Sequence, residues 1–216
     1  MKLSSLRPAY ISARLSQRAF WRRHPDAPWL AQSAILFLES WLKTTDRGIE
    51  WGSGRSTAWI GQRVAHLISV EHYKPWYERV SGDIERLGLK NKVDYRLVAC
   101  EVAESVAVPD PDSHPYADVA LELSDNSLDF ALVDGRMRST CMCRAIPKLR
   151  PGGLLILDNA NRYVPNLTRL GYSTITEPCS EPRGPKWKKL LEGIADWRPI
   201  HMSDRIFDTR AWIKPH

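Results

Sequence analysis

From residue 48 onward the chain alternates short apolar runs with segments of helical periodicity. The apolar runs have the length of β-strands and cover 48–51, 66–70, 93–98, 128–133 and 153–157. Between them, residues 76–87 and 139–149 place apolar side chains on one face of a helix. Strands that alternate with helices form parallel sheets with helices on both faces. The alternation therefore predicts an α/β fold, a Rossmann-like three-layer sandwich.

The N-terminal residues carry the excess charge of the chain. Residues 1–25 contain six basic side chains and no acidic one, while the remainder is balanced, so the net charge of +6 belongs to a short arm. A basic groove across the body of the protein, as a nucleic-acid partner would need, is therefore not expected. Residues 28–41 predict a helix with Pro28 in its first turn. We interpret 1–46 as an N-terminal helical extension and 47–216 as the main domain.

The C-terminal residues depart from the alternation in a different way. After a predicted helix over 186–194, two strand-like runs at 197–202 and 207–214 are separated by a short polar turn. Two adjacent runs with such a turn predict a hairpin. We therefore expect a mostly parallel sheet that ends in a C-terminal antiparallel hairpin.

Length and hydropathy limit the class of protein. The 216 residues suit one globular domain, and no apolar run approaches the roughly 18 residues that span a bilayer. The N-terminus lacks the apolar stretch of a secretory signal, so we expect a cytoplasmic protein without a membrane span. The four cysteines, Cys100, Cys141, Cys143 and Cys179, have no usual zinc spacing and are interpreted as reduced thiols. Nothing in the composition predicts an oligomeric state.

The first strand of the alternation ends in a glycine turn, Glu-Trp-Gly-Ser-Gly-Arg-Ser-Thr, at 50–57. Gly52 and Gly54 allow a ligand to approach the backbone closely, and the helix that follows presents unpaired N–H groups to an acidic group. Ser56 or Thr57 is predicted to cap that helix. A lone G-x-G also occurs in tight turns without a ligand, so this motif needs support from elsewhere in the chain.

That support comes from the second strand, which ends in Glu71, 19 residues after Gly52. At this distance nucleoside-binding folds place an acid on the ribose hydroxyls. A dinucleotide fold would have a third glycine where this chain has Thr57. Glu50 instead precedes the first glycine, and the resulting E-x-G-x-G pattern favours a nucleoside ligand other than a dinucleotide.

Taken in order, the motifs resemble those of the class I S-adenosylmethionine-dependent methyltransferases. The resemblance rests on the E-x-G-x-G turn, the acid at Glu71, the Leu-Asp-Phe-Ala-Leu-Val-Asp-Gly motif at 128–135 and the Leu-Arg-Pro-Gly-Gly run that begins at Leu149. It covers residues 48–214 and implies the Rossmann-like fold, an enzyme, and S-adenosyl-L-methionine as its cofactor. A further likeness to small-molecule O-methyltransferases implies methylation of a hydroxylated substrate.

The resemblance also implies which residues hold the cofactor. The glycine turn would hold the methionine part, Glu71 the ribose, His72 the adenosine, and Glu101 the adenine amine. Trp51, inside the turn, either shields the cofactor or belongs to the core. The complete set implied for the cofactor is Glu50, Gly52, Ser53, Gly54, Ser56, Thr57, Glu71, His72 and Glu101.

The fourth strand ends in Asp134, which the resemblance places beside the transferred methyl group as the catalytic residue. Cation-dependent O-methyltransferases hold a divalent ion with one such aspartate and a later Asp-Asn pair, and Asp134, Asp158 and Asn159 match that set. Mg²⁺ prefers oxygen ligands of this kind. The lysine that this family commonly has three positions after the aspartate is Met137 here. We therefore favour a reaction without a metal, with Asp134 or a histidine such as His114 as the base.

The substrate is predicted to lie against the loops at 109–124 and 162–185, because specificity often resides in such loops. Arg136 and Arg138 either pair with an acidic group of the substrate or lie in solvent. The favoured partner is a small-molecule substrate. Two other hypotheses stay open: an aminopropyl transferase-like enzyme, which would need an acidic pocket near Asp134, and a non-catalytic nucleoside-binding or scaffold protein.

Overall fold

The computed structural model describes residues 8–101, 110–165 and 181–216, and within these ranges seven strands form one sheet. The strands are β1 (Arg47–Trp51), β2 (His66–Glu71), β3 (Val93–Leu97), β4 (Leu128–Val133), β5 (Leu149–Leu157), β6 (Arg198–Ser203) and β7 (Asp208–Ile213). Their order across the sheet is β3-β2-β1-β4-β5-β7-β6. Strands β1 to β5 are parallel, and β7 runs antiparallel to both β5 and β6. The predicted parallel sheet with a C-terminal hairpin is confirmed.

Helices cover both faces of this sheet. The helices of the described residues are α1 (Pro8–Arg23), α2 (Gln32–Trp41), α3 (Arg55–Gly61), α4 (Lys74–Arg86), α5 (Pro115–Asp118), α6 (Arg138–Ala145) and α7 (Pro185–Gly193). Within these ranges, no helix combines the length and the hydropathy of a membrane-spanning segment.

The two cores of the sandwich follow from the twofold period of the central strand β4, whose successive side chains point to opposite faces. Phe130 and Leu132 are buried in one core together with residues of α2, α3 and α4. Ala131 and Val133 are buried in the other core with residues of α5, α6 and α7. A strand buried on both faces explains why the segment is a continuous apolar run and not an alternating one.

The N-terminal helix that packs on the sheet begins later than predicted. Pro28 does not lie in its first turn, because α2 begins at Gln32 and Ala31 has extended backbone, with a ψ of 138°. The N–H of Ala31 donates to Thr209 Oγ1 on β7, a tertiary contact at the residue that precedes the helix. The buried side chains of α2 belong to the core of the sheet. The division of the chain at residue 46 stays a prediction.

Two further boundaries differ from the prediction. Helix α6 ends at Ala145 and does not reach Leu149, because Pro147 has no N–H with which to continue the helix. Strand β5 begins at Leu149, four residues before the predicted start, and pairs with Leu128 before the register shifts. The Pro-Gly-Gly run is therefore an irregularity inside the strand and not the turn that precedes it.

Candidate functional site

A cavity of about 460 Å³ opens at the carboxyl ends of β1, β2 and β4. It lies where the strand order reverses between β1 and β4, which is the usual position of ligands in open α/β sheets. The residues that line it are Gly52, Ser53, Glu71, His72, Tyr73, Trp76, Asp134, Gly135 and Arg136. Four of the residues predicted for the cofactor, together with the predicted catalytic Asp134, therefore meet at one cavity.

The turn after β1 forms the floor of this cavity by close backbone packing. Gly52 has a φ of +89°, and a Cβ atom on it would lie 2.6 Å from the backbone N of Gly135. The loop after β1 and the loop after β4 are also joined by a hydrogen bond of 2.9 Å, which the N–H of Asp134 donates to the carbonyl of Trp51. Gly54 differs, because its backbone is extended and its added Cβ would meet only Trp76, at 3.7 Å. Only Gly52 is required by the geometry of the turn.

Glu50 lies beneath the turn and does not line the cavity. Its side chain is fully buried, and Oε2 accepts hydrogen bonds from Thr57 Oγ1 at 2.7 Å and Ser69 Oγ at 2.8 Å. Thr57 Oγ1 also accepts from the N–H of Gly54, the N-cap residue of α3, so the side chain of Thr57 caps the start of this helix as predicted. Burial raises the pKa of Glu50 to about 7. Glu50 therefore shapes the turn from below.

Glu71 is an ionised acceptor on the wall of the cavity. Its Oε1 accepts from the backbone N–H groups of His72 at 2.8 Å and Tyr73 at 2.9 Å. Its Oε2 accepts from the N–H and the hydroxyl of Ser53 at 3.1 and 2.6 Å. Burial alone would raise the pKa of Glu71, but these hydrogen bonds and one from the His72 side chain lower it to about 2. The carboxylate is thus held ionised by its neighbours.

His72 links Glu71 to the other side of the cavity. Its Nδ1 lies 2.9 Å from Glu71 Oε1, and its Nε2 accepts a hydrogen bond from Arg136 Nε at 3.2 Å. The imidazole of His72 thus lies between the Arg136 guanidinium and the Glu71 carboxylate. The guanidinium of Arg136 therefore lies at the cavity wall near Asp134.

Arg138 is buried, only 6% exposed, among the residues predicted to hold a metal. Its Nη2 lies 3.0 Å from Asp134 Oδ1 and 3.3 Å from Asn159 Oδ1, and its Nη1 donates to the carbonyl of Asp158. The Asp158 carboxyl accepts from Thr209 Oγ1 and from Asn159 Nδ2. Arg138 is therefore not in solvent, and that interpretation was wrong; its donors are engaged with the chain itself.

This donor set does not fit a divalent cation. A guanidinium, itself a cation, already lies between Asp134 and Asn159, and the Asp158 carboxyl is turned toward Thr209. Across the described ranges, no cluster of three or more His, Cys, Asp or Glu side chains is placed to hold a metal ion. The oxygens that the sequence pattern supplies are therefore engaged with the chain itself.

Other predicted residues lie away from the cavity. Glu101 is exposed and does not line it, and Ser56 and Thr57 lie in the first turn of α3 behind it. His114 accepts from the N–H of Tyr116 through Nδ1 and caps α5. Trp51 is fully buried, so it belongs to the core. The predicted substrate loop at 162–185 falls largely on residues 166–180, outside the described ranges.

Trp76 lines the cavity, whereas its sequence pattern predicted only a helix. Its indole Nε1 donates to the carbonyl of Ser53 at 2.8 Å, so it clamps the glycine turn from the side of α4. Tyr73 and Gly135 were also not predicted to line the cavity. Their place in the sequence could have identified them, because each lies within five residues of Glu71 or Asp134, the acids at the ends of strands.

Comparisons with known proteins support the fold assignment. No protein-family model and no curated protein sequence matches this chain. Among solved structures, the O-methyltransferase TomG from Streptomyces achromogenes, in complex with S-adenosylmethionine, is 19% identical with a TM-score of 0.56, covering 98% of this chain and 93% of its own. An O-methyltransferase from Bacillus cereus in complex with S-adenosylhomocysteine is 18% identical with a TM-score of 0.55, covering 94% and 91%.

A third structure, cofactor-bound Rv0187 from MTB, is 18% identical with a TM-score of 0.55 and covers 99% of this chain and 95% of its own. These likenesses extend over nearly the whole of each chain at low identity. They establish that the chain has the fold of class I S-adenosylmethionine-dependent methyltransferases, as the resemblance of its motifs implied.

Proposed function

We propose that this protein is an S-adenosylmethionine-dependent methyltransferase that transfers a methyl group to an oxygen of a small hydroxylated molecule. The observation that carries the proposal is that one cavity joins the Gly52 turn, the ionised Glu71 and Asp134. A nucleoside-binding turn and an ionised acid suit the cofactor, and a second acid nearby suits proton transfer from an acceptor. The fold of the structural neighbours supports the same assignment.

The residues of the cavity fit S-adenosyl-L-methionine. Glu71 has the charge and the position to accept hydrogen bonds from two ribose hydroxyls, provided that the hydroxyl of Ser53 gives up Oε2. Ser53 has a second partner in Tyr95 Oη at 2.7 Å, so its hydroxyl keeps a hydrogen bond after this exchange. When bound, the cofactor supplies a methyl group on a positively charged sulfur. Gly52, Trp76 and His72 would then enclose the remaining parts of the ligand.

Asp134 is the residue that we assign to the acceptor oxygen. Its side chain is about one-third exposed at the cavity, and Arg138 orients the carboxylate from behind through Oδ1. A carboxylate within hydrogen-bond distance of a substrate hydroxyl accepts its proton as the hydroxyl attacks. Asp134 would thus both orient the acceptor and deprotonate it.

The nature of the cavity wall disfavours an aminopropyl transferase. A polyamine acceptor carries positive charges and needs several acidic groups around it, whereas the wall of this cavity also carries the cation of Arg136. Arg136 instead suits an acceptor with a carboxylate or phosphate group. The charges of the cavity do not distinguish the proposed enzyme from a non-catalytic scaffold protein. A measurement of turnover does.

A methyl-transfer assay tests the proposal. Purified protein is incubated with S-adenosyl-L-methionine and a panel of hydroxylated small molecules, half of them with an acidic group, and release of S-adenosylhomocysteine is measured. We expect turnover with acidic members, and we expect Asp134→Asn to lower kcat by about 10²- to 10⁴-fold, as for loss of a general base. Asp83→Asn, which removes a carboxylate from the exposed side of α4, is the matched control and should retain wild-type activity. Turnover unaffected by Asp134→Asn would contradict the role assigned to Asp134.

A further inference from the structure

Arg138 occupies the centre of the group that the motifs assign to a divalent cation. Its guanidinium donates to the Asp134 carboxylate, to the Asn159 side-chain oxygen and to the backbone carbonyls of Asp134, Gly135 and Asp158. These oxygens come from the ends of two neighbouring parallel strands, β4 and β5. One side chain therefore ties together the loops that follow β4 and β5.

The position of Arg138 follows from the local backbone. Met137 has a positive φ of 49°, which ends the loop after β4 and starts α6 at Arg138. The side chain is then directed back toward Asp134, one helical turn earlier in the chain. The ring of Tyr163 lies 5.5 Å from the guanidinium carbon and covers its open side. The charge is thus enclosed by the two strand ends and an aromatic ring.

A guanidinium at this place has two physical consequences. It uses the oxygen atoms that a hard cation would need, and its positive charge repels a dication at short range, where the low polarity of the interior weakens screening. It also holds its partners in a fixed planar geometry, because its donors form a rigid fork. A single side chain can therefore order the loops as an ion would, while it excludes the ion.

We propose that Arg138 takes the place of the divalent cation at the Asp134, Asp158 and Asn159 cluster, so that this site does not bind divalent metal and Arg138 acts as a positioning residue for Asp134. The exclusion of metal stands on the geometry of the described residues alone. The positioning of a catalytic Asp134 rests on the proposed function.

Binding of Mn²⁺, followed by electron paramagnetic resonance, tests the exclusion of metal without any need for turnover. We expect no detectable binding of Mn²⁺ to the wild-type protein at this cluster. We expect Arg138→Ala, which removes the buried charge, to bind Mn²⁺ with a Kd at least about tenfold below the highest Mn²⁺ concentration at which the wild type shows no binding. The Mn²⁺ binding that the variant gains should disappear in the double variant Arg138→Ala with Asp134→Asn. Arg136→Ala is the matched control, because Arg136 is a cation at the same cavity that does not contact Asp158 or Asn159, and it should bind no Mn²⁺.

Each other outcome overturns the inference. Mn²⁺ binding by the wild-type protein that Asp134→Asn abolishes would show that Arg138 does not exclude the ion. An equal gain in Mn²⁺ affinity in Arg136→Ala and Arg138→Ala would show that the loss of any positive charge near the cavity is sufficient, and that the position of Arg138 does not matter. If Arg138→Ala is insoluble, Arg138→Gln, which keeps amide donors and loses the charge, replaces it, and failure of the neutral variants to bind Mn²⁺ would also contradict the inference.

The positioning role has its own readout in a protein that methylates an acceptor. Arg138→Gln should lower kcat and displace the pH profile of kcat, with KM for S-adenosyl-L-methionine unchanged, and Arg138→Lys should restore part of the loss. A fall in activity without a change in the pH profile would mean that Arg138 is only structural. Failure of the protein to bind S-adenosyl-L-methionine would overturn the proposed function and leave the Mn²⁺ result standing.

Discussion

Glu50 and Glu71 lie at the ends of two paired strands, yet their pKa values move in opposite directions. Glu50 is fully buried beneath the glycine turn, and burial raises its pKa to about 7. Glu71 receives hydrogen bonds from His72, Ser53 and Tyr73, which outweigh burial and lower its pKa to about 2. Two acids of the same motif thus serve different purposes, because only Glu71 is prepared to accept hydrogen bonds as an anion.

The raised pKa of Glu50 predicts a loss of stability with rising pH. The folded protein keeps a proton on Glu50 up to a pH of about 7, whereas the unfolded chain loses it near 4.5, so the free energy of unfolding falls as the pH rises between these values. Glu50→Gln mimics the protonated form and removes this fall. We expect the variant to match the wild type at pH 4 and to exceed it by about 3 kcal/mol at pH 8, as measured by urea denaturation.

Glu192→Gln, at an exposed position of α7, is the control for this comparison and should follow the wild type at every pH. The interpretation fails if the unfolding free energies of wild type and Glu50→Gln remain parallel from pH 4 to pH 8.

For these two glutamates, the sequence predicted their place at the ends of strands but not whether each side chain is buried or lines the cavity. Both glutamates were predicted from the ends of apolar runs, and Glu71 does line the cavity. The register of β1 and β2, which pairs Glu50 with Ser69, turns Glu50 inward under two hydroxyl groups. Cross-strand register depends on packing over the whole sheet, so no local pattern predicts this burial.

At the scale of single elements, the two glycines of the turn between β1 and α3 have different structural roles, although both belong to the E-x-G-x-G motif. An alanine at 52 would require an L-residue at a φ of +89° and would place its Cβ 2.6 Å from Gly135 N. An alanine at 54 would meet only ordinary contacts on extended backbone.

We therefore expect Gly52→Ala to destabilise the fold by about 1–3 kcal/mol and to weaken cofactor binding, because backbone strain at a positive φ adds to the clash. Gly54→Ala, the matched control in the same turn, should stay within about 0.5 kcal/mol of the wild type. Thermal denaturation with and without S-adenosylhomocysteine measures both effects. Equal destabilisation by the two substitutions would contradict the role assigned to Gly52.

The element boundaries show where local patterns succeed and where they fail. The prediction of β4 at 128–133 is confirmed to the residue, because a strand buried on both faces is a continuous apolar run with polar ends. The predicted start of α2 was wrong because proline is common outside helices as well as in a first helical turn. The helix instead begins at Gln32, directly after the contact of Ala31 with Thr209 on β7. Long-range contacts of this kind leave no local signal.

At the scale of the whole molecule, the strand order brings distant parts of the sequence to one cavity. The alternation of strands and helices predicted a parallel sheet, and the motifs placed Gly52, Glu71 and Asp134 at the ends of strands. The order β3-β2-β1-β4 makes the three strands neighbours, so the three residues line one cavity. The sequence shows Met137 where cation-dependent O-methyltransferases commonly have a lysine, but no sequence pattern predicted that Arg138 lies among Asp134, Asp158 and Asn159. That arrangement depends on the meeting of two loops 20 residues apart in the sequence.

The proposed function depends first on whether the cavity binds S-adenosyl-L-methionine, and calorimetric titration measures this directly. We predict micromolar binding of S-adenosyl-L-methionine and S-adenosylhomocysteine, no binding of nicotinamide dinucleotides, and an increase in stability of about 2.7 kcal/mol at a hundredfold excess over Kd. Glu71→Gln, which removes the anionic acceptor, should weaken binding by about 2 kcal/mol. Absence of heat and of a melting shift with both compounds, or equal binding by Glu71→Gln, would contradict the assignment of this cavity to the cofactor.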